Sequence, residues 1–250
     1  MKRSIYHING GYANTYLLET NAGLVAVDVG SPLAATMVVD FIRGQLGKKI
    51  DTLRLVTATH FHIDHIGGIS HLLKLTPEVK INLYVKAGNY LSGKEKLSIP
   101  SLSSWIFGLG STMTQFDNHF RNIFQFFKSQ KVGIPLPLLR LLKSPDYRIS
   151  AELEEGKEIP QLPGWKLLPT SGHTPDSICL YQAEDKTLIT GDTILNMRGT
   201  GELNTFCCDY GEIKDSFAQL SCLDVEHIYP GHGRPIVGVT DALSRVKVLP

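Results

Sequence analysis

Between His60 and His65 the chain places three histidines and an aspartate (His60, His62, Asp64 and His65) inside the segment TATHFHIDHIGG, residues 57–68. No other stretch limits the fold so tightly. The residues before it, Leu53 to Ala58, form a short apolar run that reads as a buried strand. Those after it, Ile66, Ile69, Leu72, Leu73 and Leu75, recur at helical intervals. The cluster therefore sits where a strand hands over to a helix, and loops at strand ends are where α/β folds place chemistry. Histidines gathered by chance on an idle loop would lack that framing.

One loop supplies too few ligands for a metal site, and the rest of the chain offers others at strand ends. VAVDVGSP closes a strand at Asp28, and LLPTSGHTPDS puts His173 in a turn after a strand. LITGDTIL places Asp192 after another strand, and HIYPGHGRPI places His232 after a third. Gly172, Gly191 and Gly231 precede the last three. Glycine allows positive φ and the close backbone approach that a crowded centre needs. A lone Gly-His is ordinarily a loop; the recurrence is what carries meaning. Five imidazoles and two carboxylates with no thiolate suit a borderline metal, zinc first, with iron or manganese as alternatives.

Other segments complete an α/β pattern. Tyr16 to Leu18 and Leu24 to Val29 read as a hairpin turning at Thr20 to Gly23, followed by a helix from Leu33 to Leu46. A strand is expected at Ile81 to Val85. The second half repeats the style, with strands at Trp165 to Pro169, Ser177 to Gln182 and Thr187 to Thr190. A helix near Ile213 to Leu223 and a strand at His227 to Tyr229 close it. Two such halves predict an α/β sandwich, two sheets inside and helices outside. At 250 residues and 42% hydrophobic the chain reads as one large domain, residues 1–250.

The formal net charge of +1 gives no field that would favour nucleic acid or a membrane surface, so neither is an expected partner. The N-terminus lacks the apolar core of a secretory signal, and no apolar run approaches the roughly eighteen residues of a membrane span. Cys179, Cys207, Cys208 and Cys222 show no CxxC spacing and read as reduced thiols of a cytoplasmic protein.

Taken in order, Asp28, the H-x-H-x-D-H set His60, His62, Asp64 and His65, then His173, Asp192 and His232 resemble the metallo-β-lactamase superfamily over nearly the whole chain. The resemblance implies an αββα sandwich with two divalent metal ions at one edge of the inner sheets. It implies His60, His62 and His173 on the first metal, Asp64, His65 and His232 on the second, and Asp192 bridging both. Asp28 would orient a ligand histidine. Asp64 and Asp192 are the residues that it ties most closely to catalysis. Water bound to such metals has its pKa lowered to about 7, so a bridging hydroxide could attack at neutral pH. His7, His71, His119 and His227 carry no such motif; His71 is expected on the exposed side of its helix and His227 in the core or at an edge. Gly67 and Gly68 are expected to let the helix start pack closely beneath the metals.

The bridging Asp192 is absent from the true β-lactamases of the superfamily, which ranks antibiotic hydrolysis low. The full ligand set resembles glyoxalase II, the acyl-homoserine lactonases and the tRNA-processing nucleases. Departures temper each. Glyoxalase II carries a C-terminal glutathione-binding helical region, whereas here eighteen residues follow His232, and Glu202 stands where a basic residue is expected. Lactonases often place tyrosine where this chain has Leu195, and the long basic arm of the nucleases has no counterpart. The expected activity is a dinuclear hydrolase of thioesters, lactones or related esters acting on a small molecule. The alternatives are a phosphodiesterase or a mononuclear iron enzyme like the persulfide dioxygenases.

Residues about 92–150 form an insert that the minimal fold does not require. From Lys94 to Arg148 eight basic residues face three acidic ones, an excess of +5. Phe116, Phe120, Phe124 and Phe127 fall on one helical face, and Trp105 adds apolar surface. These are substrate-pocket candidates: a lid, apolar inside and basic at its rim, would suit an anionic substrate with an apolar acyl part. The same face equally suits packing on the body, or on a second subunit in a homodimer; an interfacial lipid-binding helix fits less well with the prolines and scattered charges.

Overall fold

Alternation along the strands decides the layering. A computed structural model describes residues 4–10, 12–92, 94–96 and 147–249. Six strands form the first sheet: β1 (Ser4–Ile8), β2 (Thr15–Thr20), β3 (Gly23–Val27), β4 (Leu53–Thr57), β5 (Lys80–Tyr84) and β6 (Ala151–Leu153). They lie side by side in chain order, antiparallel from β1 to β3 and parallel from β3 to β6. The second sheet holds β7 (Trp165–Pro169), β8 (Ile178–Gln182), β9 (Thr187–Gly191) and β12 (His227–Pro230), in the order β12-β9-β8-β7. Between β9 and β12, β10 (Ile194–Leu195) and β11 (Glu202–Leu203) make a small antiparallel pair.

Successive side chains on a strand face opposite ways. Leu17, Ala26, Val56 and Ile81 therefore point to one core and Tyr16, Leu18, Val25, Val27 and Leu55 to another. The first core lies under α1 (Pro32–Asp40) and α3 (Ile69–Leu75), and it takes in Ala34, Val38, Ile69 and Leu72. The second core lies between the sheets, where Leu55 and Val27 meet Leu167, Ile178, Leu180 and Ile189. The far face of the second sheet packs Cys179, Tyr181, Leu188 and Ile228 against Leu220 of α5 (Tyr210–Leu220). The result is an αββα sandwich. A fully buried leucine such as Leu55 typically costs about 2–5 kcal/mol when cut back to alanine, because the close-packed interior relaxes only partly.

Local chemistry sets the helix ends. Ser31 caps α1 by accepting from Ala34 N at 3.0 Å, Pro32 opens it, and a π-helical turn (Phe41–Gln45) extends it. The helix expected from Ile66 to Leu75 is instead two, α2 (Ile63–Ile66) and α3, broken at Gly67 and Gly68. A Cβ on Gly68 would lie 2.2 Å from Ser31 O, so only glycine lets these segments pass. A short helix, α4 (Val85–Leu91), follows β5 directly and takes Val85 from the expected strand. Strands β1, β6, β10 and β11 lay outside the sequence expectations.

Trp105, Phe116, Phe120, Phe124, Phe127 and His119, with nearly all of the 92–150 insert, lie outside the described residues. Among the described residues no helix is long and apolar enough to cross a membrane.

Candidate metal centre

Five strands, β3, β4, β7, β9 and β12, deliver one site at their carboxyl ends, and each expected residue follows directly. Asp28 comes after β3, His60 to His65 after β4, His173 after β7, Asp192 after β9 and His232 after β12. All are buried. His62 stands at the start of α2, so Asp64 and His65 project from its first turn.

These side chains converge in three overlapping groups that could hold a metal ion: His60, His62 and His173; Asp64, His65 and His232; and His60, His65 and Asp192. Within each, the donor atoms lie within 4.8 Å of one another. His173 Nε2 is 3.1 Å from His62 Nδ1, and His232 Nε2 is 3.3 Å from Asp64 Oδ2. Asp192 reaches across: Oδ2 lies 3.5 Å from His173 Nε2 and 3.3 Å from His232 Nε2, while Oδ1 lies 3.4 Å from His65 Nε2. His60 Nε2, His65 Nε2 and Asp192 Oδ1 are buried with no hydrogen-bond partner among the described residues. Buried polar atoms are normally satisfied, so inward-facing orphans in this donor set fit a bound cation.

The outward nitrogens are held. His173 Nδ1 lies 2.7 Å from the Phe206 carbonyl, and His232 Nδ1 lies 3.0 Å from that of Tyr12. A ring that donates through Nδ1 keeps a lone pair on Nε2 for the centre. His65 Nδ1 lies 3.0 Å from Asp28 Oδ2, close enough for an ion pair although the ring N–H is not aimed well enough to count as a hydrogen bond. Both groups are wholly buried, so little solvent screens that attraction. Asp28 is itself fixed by Thr59, whose backbone N and hydroxyl donate to its two oxygens at 2.7 and 2.8 Å, and it holds a left-handed φ of 60°. Few side chains tolerate that backbone, and aspartate is one of them.

Charge is arranged in pairs. Burial works against an ionised His65, but Asp28, Asp192 and Asp64 outweigh it and hold its pKa well above the ordinary imidazole value. His232 is raised in the same way, burial being overcome by Asp192 and Asp64. Burial alone would push Asp64 and Asp192 up, yet the same two histidines hold both below the usual carboxylate range. His60 and His173 are pushed down, chiefly by burial. Positive charge is thus wanted between the carboxylates, which a divalent cation supplies in place of protons.

The crowding around the centre explains its glycines. Gly172 and Gly191 have positive φ, and a Cβ on Gly191 would lie 2.4 Å from Thr59 Oγ1. His71, expected to be exposed, is half-buried and contacts Thr36 Oγ1 at 3.3 Å, because α3 packs against α1. His227 sits on edge strand β12 and accepts from Gly238 N, while His7 contacts Asn14 Oδ1. Glu202 is taken up in the β10–β11 pair.

Sequence reasoning passed over Asn14, Asn204 and Asp176. Asn14 Nδ2 donates to Pro230 O at 2.9 Å and Gly233 O at 2.8 Å, bracing the His232 loop. Asn204 Nδ2 donates to Asp192 O at 2.9 Å, and its Oδ1 accepts from Phe206 N. Their only sequence signal is that each stands in a loop beside a strand end.

An αββα sandwich with a buried His/Asp cluster at one edge of its sheets defines the metallo-hydrolase class. The chain belongs to the metallo-beta-lactamase superfamily, whose family model matches residues 8–232. Among curated relatives it is 23% identical to YflN, a probable metallo-hydrolase of Bacillus subtilis, over 94% of this chain and 86% of that one. It is 24% identical to the hydroxyacylglutathione hydrolase of Francisella philomiragia over 87% of this chain, spanning only 61% of that protein's length. The solved structure of TTHA1623, in a di-iron-bound form, matches with a TM-score of 0.61 over 96% of both chains at 21% identity, a likeness of fold.

Proposed function

We propose that this chain is a dinuclear metal-dependent hydrolase of thioesters, lactones or related esters of small molecules. The reading rests above all on Asp192, whose Oδ2 reaches both His173 of the first group and His232 of the second, while Oδ1 reaches His65 of the second. A carboxylate so placed can serve both halves of a two-metal site. In this reading His60, His62 and His173 hold the first ion, Asp64, His65 and His232 the second, and Asp192 both. Zinc suits the nitrogen and oxygen donors, and iron is the alternative raised by the di-iron form of TTHA1623.

Two bound divalent ions would supply Lewis acidity and a water whose pKa is lowered to about 7. The chain's own residues do the rest. Asp28 keeps the His65 ring turned inward, and the carbonyls of Tyr12 and Phe206 do the same for His232 and His173. Asp64 and Asp192, held ionised, keep the centre anionic and ready for cations. Acyl chemistry is favoured over phosphodiester cleavage because a hydroxyacylglutathione hydrolase, a thioesterase by reaction, is among the relatives.

The test is hydrolysis by zinc- and iron-loaded protein of four panels: thioesters, lactones, phosphodiesters and β-lactams. Turnover of thioesters or lactones that a chelator abolishes supports the reading. Turnover of phosphodiesters alone would replace it.

A further inference from the structure

We infer that Asp176 is a positioning residue that holds the His60–His62 loop in register with His173, and so sets the affinity of the first metal position. The inference rests on the two-metal reading above. Phe61 is the residue between His60 and His62, and its backbone N–H donates to Asp176 Oδ2 at 2.8 Å. Asp176 stands three residues after His173. One side chain thus ties together the two loops that carry all three histidines of the first group. Nearby, Ile178 N donates to Thr59 O at 2.9 Å, so the two sheets are stitched on both sides of His60.

The carboxylate occupies an expensive place. Asp176 is wholly buried, and its Oδ1 has no hydrogen-bond partner among the described residues. A buried polar group with an unmet oxygen destabilises a fold, so an apolar residue would serve packing alone better. An acceptor here fixes the Phe61 amide, with the Thr174 side chain also drawn to the carboxylate. The turn bearing it is braced to keep that acceptor still: Thr174 and Ser177 hydroxyls lie 2.7 Å apart, and Lys86 Nζ donates to Pro175 O at 3.0 Å.

Within the first group it is His60 that such a brace would serve. Among the described residues His60 Nδ1 meets the Thr59 hydroxyl, at 3.2 Å, a looser hold than the carbonyl contacts of His173 and His232. Backbone placement must then do what a ring anchor does elsewhere.

Two variants separate positioning from bulk structure. Asp176→Asn keeps an oxygen that can accept from Phe61 N–H, and Asp176→Ala removes it. Cobalt(II) titration, read by visible absorption and calorimetry, gives the affinity at each position, and thermal melts of the metal-free proteins report stability. Asp176→Ala should weaken one position, the one that His173→Ala removes, by about 10- to 100-fold, the usual size of an outer-layer effect. The other position should be unchanged, and Asp176→Asn should recover affinity to within about threefold of the parent by the same reasoning. If Asp176→Ala does not fold, Asp176→Ser, one bond too short to keep the contact, takes its place with the same expectations. Unchanged affinity in the truncated variant overturns the inference. So does equal weakening of both positions alongside a lowered melt, or failure of the asparagine to recover. A parent protein that takes up a single cobalt ion would instead sink the two-metal reading, and the effect of Asp176 on that one site would still be read.

Discussion

Gly231 packs so tightly against Asp192 that a Cβ on the glycine would stand 2.2 Å from Oδ1, and 2.8 Å from His65 Cε1. The backbone there is also pinned, Gly231 N donating to Gly191 O at 2.6 Å and Gly231 O accepting from Asn14 N at 2.7 Å. The added methyl of Gly231→Ala must therefore displace the Asp192 carboxylate. Metal content by elemental analysis should fall, and activity with it by at least about tenfold, while circular dichroism stays that of the parent. A fully loaded Gly231→Ala protein would show that Asp192 does not need its present position.

Asp192→Ala and Asp28→Ala should differ sharply. Asp28 acts on the centre indirectly, through His65 and, by way of the Thr59 hydroxyl, His60, and losses of that kind run to about 10- to 100-fold. Asp192 faces three histidines of the centre, so its removal should cost far more activity and release metal. Steady-state rates and metal stoichiometry on the two variants decide; equal losses would erase the distinction between holding metal and orienting a ligand.

Removing Asn14 should loosen the His232 loop. Asn14→Ala takes the side-chain donor from the Gly233 carbonyl and one of two from that of Pro230, which the Tyr16 hydroxyl also serves, and leaving a buried polar group unmet costs about 1–3 kcal/mol. A lower melting temperature with weaker metal retention is expected. A melt superimposable on the parent's would mean that water satisfies those carbonyls.

Acid should destabilise the metal-free protein through Asp64 and Asp192. Both have folded pKa values below their unfolded ones, despite burial, because His65 and His232 face them. A lowered carboxylate pKa contributes stability above the unfolded value of about 3.9 and loses it as pH falls through the folded value. Melting temperatures of chelator-treated protein should therefore fall below about pH 4, and Asp192→Asn should flatten that slope. The neutral range is less telling. Raised His65 and His232 contribute below about pH 6.5 while lowered His60 and His173 contribute above it, so their slopes oppose. An unchanged acid slope in Asp192→Asn would rule out that carboxylate as its source.

By itself the sequence determined the layers and the cast of the centre. Apolar runs such as Leu24–Val27 mark the buried strands that the layers are built from, and His60, His62, Asp64 and His65 announce themselves by type and spacing. Both signals are local, carried by neighbours along the chain. Only the tertiary structure decided what surrounds that cast. Asn14 braces carbonyls 216 and 219 residues away, Tyr12 lends its carbonyl to His232 from 220 residues away, and Asp176 reaches Phe61 across 115. An asparagine or aspartate in a loop looks the same in sequence whether it faces water or a distant amide. The break at Gly67 and Gly68 is of the same kind, because it answers to Gly30 and Ser31 pressing from another segment. Contacts between segments far apart in sequence leave no periodicity behind, and they appear only once the sheets have brought five strand ends to one edge.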